Sequence, residues 1–133
     1  MIATLASLTV LAAGIYFIGL AFVAFWAPDR AGRFLRGFAT SARAHYLELS
    51  LRLALGAAFL AAGRRMLFPE VFVTFGWILV LTTAVLLLIP WQWHARFAQK
   101  SVPHAVRHLR LVAVASLALG SSIIAAVANG AAP

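Results

Sequence analysis

The stretch "HYLELSLRLALGAAFLAAGRR", residues 45–65, decides how many times this chain crosses a membrane. Its second half is apolar enough for hydrocarbon, yet Glu48 and Arg52 stand in its first turns. A charge deep in a bilayer is costly unless it lies close to the surface. At about 1.5 Å of rise per residue, Arg52 sits roughly 10 Å below a helix start at His45, where its guanidinium can snorkel to the interface. Residues 46–63 are therefore read as a span. Glu48 and Arg52 share a helix face in the favourable order, with the acid on the N-terminal side, so the spacing predicts a local ion pair. A functional reading stands beside it, with Glu48 as a proton or cation site or as a contact for another subunit. Arg107 or Arg110 is a further candidate partner for the pair.

Three other segments need less argument. Residues 1–28, 71–95 and 111–133 carry no Asp, Glu, Lys or Arg, and each exceeds the roughly 20 apolar residues that cross a bilayer. With 64% hydrophobic and 11% charged residues in 133, the chain departs from soluble composition, and four spans leave no room for a separate water-soluble domain. The first segment lacks a basic leader and has an apolar run longer than a signal peptide's, so it is read as a retained helix. There is no cysteine, hence no disulfide and no thiolate chemistry.

Net charge is +8, and its placement is informative. Arg30, Arg33, Arg36 and Arg43 lie between spans one and two, and Arg96, Lys100, Arg107 and Arg110 between spans three and four. The middle turn holds only Arg64 and Arg65. Cytoplasmic loops collect Lys and Arg, which predicts both connectors inside and both termini outside. Anionic phospholipid headgroups, rather than nucleic acid, are the partner expected for basic residues flanking spans. Trp26, Trp91 and Trp93 fall where an interfacial aromatic belt is expected.

The predicted fold is all-α: four transmembrane helices at about 3–26, 45–63, 70–91 and 106–128, bounded by Pro28, Pro69 and Pro90. The connectors repeat. At an offset of 62 to 64, Pro28 matches Pro90, Arg33-Phe34 matches Arg96-Phe97, His45 matches His108 and Leu55-Gly56 matches Leu119-Gly120. Two similar helical hairpins, about 3–65 and 66–128, related by a pseudo-twofold along the membrane normal, are expected. In the first connector Ala31, Phe34, Leu35, Phe38 and Ala42 oppose Arg30, Arg33, Arg36, Thr40 and Arg43, the pattern of a short amphipathic interfacial helix. The second connector follows that pattern less well because Pro103 interrupts it.

The run from an apolar helix through a Pro-led basic-aromatic connector to "LRLALGAAFLAAG" resembles the small two-helix bacterial inner-membrane proteins of YjeT type, with Arg52, Gly56 and Gly63 in the matching places. The resemblance covers about residues 10–63, with an echo at 75–125. It implies a bacterial inner-membrane location and no defined activity.

Small residues mark packing faces: Ala54, Ala58 and Ala62 with Gly56 on the second span, and Ser116 with Gly120 on the fourth. These two helices are expected to pack together, leaving the third, "WILVLTTAVLLLI", to face lipid or another protein. His45 and His108 are weighed as axial ligands of a b-type haem, and His104 with His108 as a metal pair. Both are disfavoured, because the histidines neighbour arginines at the water boundary, no carboxylate is near, and interfacial contacts suffice. No metal or cofactor is expected. Asp29 and Glu70 sit beside prolines at helix starts, where an acid suits the dipole. With Glu48 they are the three acids of the chain; no catalytic constellation can be assembled from them, and no enzyme is expected. The function expected is a non-catalytic accessory or structural subunit that packs through its helices, on other subunits or on itself, and binds anionic lipid. A small dimeric transporter or channel using Glu48 and Arg52 is the main alternative, and a cytochrome using His45 and His108 the second.

Overall fold

In the computed structural model, which describes residues 1–37 and 40–130, the chain forms six α-helices: α1 (Ile2–Trp26), α2 (Pro28–Arg36), α3 (Ala42–Ala62), α4 (Pro69–Leu88), α5 (Trp91–Arg107) and α6 (Leu109–Ala128). Four of them, α1, α3, α4 and α6, are long and apolar enough to span a membrane, α3 together with the 3-10 turn Gly63–Arg65 that follows it. The protein is a multi-pass membrane protein.

The prolines place the breaks. Pro28 at the start of α2 disfavours helical geometry at Ala27, whose φ of −137° ends α1. Ile89, before Pro90, is extended at φ −96° and ψ 137°, and closes α4. Pro69 opens α4, after Phe68 takes a left-handed turn at φ 58°. The Ser41 hydroxyl caps α3 by accepting from the Ala44 N–H at 3.1 Å. Pro103, expected to interrupt the second connector, lies inside α5, which runs through it as one helix of 17 residues. The carbonyl that loses its helical donor there belongs to Gln99, which is exposed and can be solvated.

The spans meet along two glycine seams. Gly56 of α3 crosses Gly76 of α4: a methyl group on Gly76 would stand 3.0 Å from the Gly56 carbonyl oxygen. Gly14 of α1 crosses Gly120 of α6, where a methyl group on Gly120 would stand 2.6 Å from the Gly14 carbonyl oxygen. Such contact between backbones is what small residues provide in lipid, where apolar burial alone supplies little attraction. The seams correspond to one another. Shifted by 62, Gly14 and Ile18 become Gly76 and Val80; shifted by 64, Gly56 and Leu60 become Gly120 and Ile124, and the same pairs abut in each seam.

This arrangement revises the expected packing. The second and fourth spans do not form the central pair; each lies on a span of the opposite half, α3 on α4 and α6 on α1. Helices α1 and α3 are also packed together, whereas no comparable seam joins α4 to α6, so the second hairpin is not a close pair. Gly56, Ala58, Ala62, Ser116 and Gly120 are buried as packing residues should be, but Ala54 is exposed, because the face centred on Gly56 turns it outward. Helix α4 is not left wholly to its surroundings: Gly76 and Thr83 are buried against α3, while Trp77, Ile78, Leu81 and Val85 are exposed. The core centres on Phe59, which stacks on Phe72 and meets Phe75 edge-on, together with Val10 and Ile123.

At one end, α2 and α5 pack against each other across the ends of the spans. Arg30, Arg33 and Arg36 are exposed on α2 and Ala31 and Gly32 buried; Phe34 is partly exposed, and Phe38 lies outside the described residues. At the other end the turn after α3 is tied to α6 by the Leu67 N–H, which donates to the Ala126 carbonyl at 2.9 Å.

Candidate functional site

Near the connector end, α3, α4 and α5 bring together the polar side chains of the spans. Arg52 does not pair with Glu48. Its Nε donates to Thr83 Oγ1 at 3.1 Å and its Nη2 to Thr82 Oγ1 at 3.0 Å, so the planar fork takes two acceptors on the neighbouring helix. Both threonines are prepared for this. Each hydroxyl donates back along α4, Thr82 to the Ile78 carbonyl at 2.6 Å and Thr83 to the Leu79 carbonyl at 2.5 Å, which leaves oxygen lone pairs facing the guanidinium. Thr83 is fully buried, so its hydroxyl has no access to water in exchange.

Glu48 is left with an oxygen, Oε2, that is buried and has no hydrogen-bond partner. Its side chain borders a groove of about 470 Å³ between α1 and α3, walled by Tyr16, Phe34, Leu47 and Leu51. Neither Arg107 nor Arg110 reaches it; both line a separate cavity beside Ala24 and Phe25.

His45, one turn before Glu48, is fully buried, and its Nδ1 lies 2.8 Å from Nδ1 of His94 on α5. One of these nitrogens must carry the hydrogen and donate while the other accepts, since two lone pairs or two N–H groups cannot bond. Nε2 of His45 is buried without a partner. The histidine matched to His45 by sequence is not its neighbour: the His108 Nδ1–H donates to the His104 carbonyl at 2.9 Å, beyond the end of α5. The bis-histidine arrangement expected of a haem site is therefore not formed by His45 and His108. Among the described residues no group of three or more His, Cys, Asp or Glu side chains is placed to hold a metal ion.

His94, Thr82 and Thr83 thus complete the site. The sequence offered Thr82 and Thr83 only as polar residues in an otherwise apolar run, and it gave no signal for His94. Of the interfacial residues, Trp26 and Trp93 are exposed and Trp91 partly so, all at the connector end; Arg43, Arg96 and Lys100 are exposed there as well. Comparisons with protein-family models, with curated proteins and with solved structures find no match for this chain.

Proposed function

We propose that the protein is a non-catalytic accessory subunit of a membrane complex, docking through the groove between α1 and α3 and holding anionic lipid with its basic connectors. Glu48 carries this reading. It is an acid within a span whose expected internal cation is committed to Thr82 and Thr83, so its carboxylate retains acceptor capacity beside an apolar groove. A buried acceptor without a partner costs about 1–3 kcal/mol. A transmembrane helix of another subunit bringing a donor to that point would recover it. Helices α2 and α5, with their exposed arginines, lie in the cytoplasmic interface of the bacterial inner membrane in this reading, with both termini outside.

Photo-crosslinking in intact cells tests it, with the crosslinker at Leu47 or Leu51 on the groove and at Ile78 on α4 as a control. A single heterologous membrane subunit, captured from the groove positions and lost with Glu48→Gln, is the expected result. Capture of nothing but lipid would refute the reading. Capture of a second copy of this chain would replace the heterologous partner with a homo-oligomer.

A second reading, a small proton-coupled transporter, is favoured by the succession from His94 through His45 to Glu48, three titratable groups leading from α5 into a span. It requires proton flux into vesicles that Glu48→Gln abolishes without unfolding the protein.

A further inference from the structure

Where α1 ends and α5 gives way to α6, a cavity of about 460 Å³ is lined by the exposed Arg107, His108 and Arg110 together with Ala24, Phe25, Pro28 and Leu111. Neither guanidinium has a hydrogen-bond or ion-pair partner among the described residues, and no carboxylate lines the cavity. A neighbouring cavity of about 290 Å³ shares Pro28 with it and carries Arg33 and Arg36, but there Asp29 lines the wall with them. The two basic cavities therefore differ in sign balance. An anion entering the second would meet a carboxylate; in the first it meets two free guanidinium groups.

The apolar side of the first cavity selects the kind of anion. Phe25 and Leu111 are 49% and 67% exposed, and both belong to helices that can span a membrane. A soluble anion would use the arginines and leave that flank unused. A phospholipid would place its phosphodiester between Arg107 and Arg110 and an acyl chain along Phe25 and Leu111. Basic pockets between spans at the cytoplasmic side suit lipid headgroups in this way.

We infer that this cavity is a specific site for one anionic phospholipid, its phosphate held by Arg107 and Arg110. The inference rests on the lipid-binding part of the function proposed above and narrows it from a basic surface to one site.

Native mass spectrometry of the full chain in detergent, titrated with phosphatidylglycerol, phosphatidylethanolamine or inorganic phosphate, tests it. A basic side chain at the headgroup contributes about fivefold in affinity, so the variant carrying Arg107→Gln and Arg110→Gln should lose roughly 30-fold for phosphatidylglycerol. The matching change of Arg33 and Arg36 should lose less than about threefold, and lysine at positions 107 and 110 should restore most of the affinity, since charge is kept. If the glutamine pair does not fold, as judged by helicity, the single changes at 107 and 110, each expected to lose about fivefold, make the same comparison. Equal losses in the two glutamine pairs would overturn the site while leaving a diffuse lipid-binding surface. No preference for phosphatidylglycerol over phosphatidylethanolamine in the unaltered chain would overturn both. Displacement of the bound lipid by inorganic phosphate at comparable concentration would overturn the lipid assignment in favour of a soluble anion.

Discussion

Replacing Gly120 with alanine tests the glycine seams most directly. The added methyl would meet the Gly14 carbonyl oxygen at 2.6 Å, the Ile18 backbone nitrogen at 3.0 Å and Ile18 Cγ1 at 2.8 Å. Two of these neighbours are backbone and cannot rotate aside. Ordinary contact begins near 3.4 Å, so α1 and α6 must separate by about 0.8 Å at the crossing. A gap of that size forfeits a quarter to a half of the dispersion energy of each contact along the seam, and overpacking of this kind costs about 1–3 kcal/mol. Against it stands the better helix propensity of alanine, roughly 1 kcal/mol. The net expectation is a loss of about 0–2 kcal/mol. Gly19 on α1 supplies the control, because a methyl there meets nothing within 4 Å; Gly19→Ala should be neutral or stabilising by up to about 1 kcal/mol. Reversible unfolding in bicelles measures both variants. If Gly120→Ala proves as stable as Gly19→Ala, the close crossing of α1 and α6 is wrong.

Three further outcomes are expected. In a double-mutant cycle, Arg52→Gln and Thr83→Val should couple by about 1 kcal/mol, whereas Arg52→Gln and Glu48→Gln should couple near zero; the opposite ranking would restore the ion pair that the spacing suggested. His94→Ala should raise hydrogen exchange across residues 91–107 and leave α1 and α6 protected, and unchanged exchange would mean that the histidine pair does not hold α5 in place. Single cysteines replacing Gly37 and Ser101 should be shielded from an impermeant thiol reagent in intact cells while one replacing Asn129 reacts, and reversed labelling would invert the proposed topology.

The number of spans and the breaks between them were legible because they follow from local rules. Pro28, Pro69 and Pro90 act on adjacent residues, and an uninterrupted apolar run needs no partner to be recognised. Which spans touch was not legible, since Gly14, Gly56, Gly76 and Gly120 announce close approach without naming the helix approached. The offsets between those glycines contained the answer in part. Once Gly14 is paired with Gly76 and Gly56 with Gly120 as equivalents, a pseudo-twofold requires the contact of α3 on α4 to be repeated by α6 on α1. The polar site failed for a related reason. A spacing of four residues made Glu48 the visible partner of Arg52, but the acceptors it uses, Thr82 and Thr83, stand 30 and 31 positions away.

The same correspondence separates scaffold from chemistry. At the seam offsets, Arg52 answers to Ser116 and Glu48 to Val112, while Thr82 and Thr83 answer to Leu20 and Ala21. Every member of the arginine–threonine bridge therefore has a small or apolar counterpart in the other seam. The His45–His94 contact likewise answers to Leu109 and Gly32. The α1–α6 seam closes on its glycines without any such polar groups. Polar side chains that the matching seam does without are where selection for a partner or a proton would act. Moving Glu48 and Arg52 into the other seam, as Val112→Glu with Ser116→Arg, should therefore destabilise the protein, because Leu20 and Ala21 offer the guanidinium no hydroxyl acceptor and the carboxylate no donor. A charge at a helix centre costs about 2.5–3.5 kcal/mol and one nearer the surface less, so a measurable loss is expected, and unaltered stability on reversible unfolding would show that the asymmetry has no structural basis.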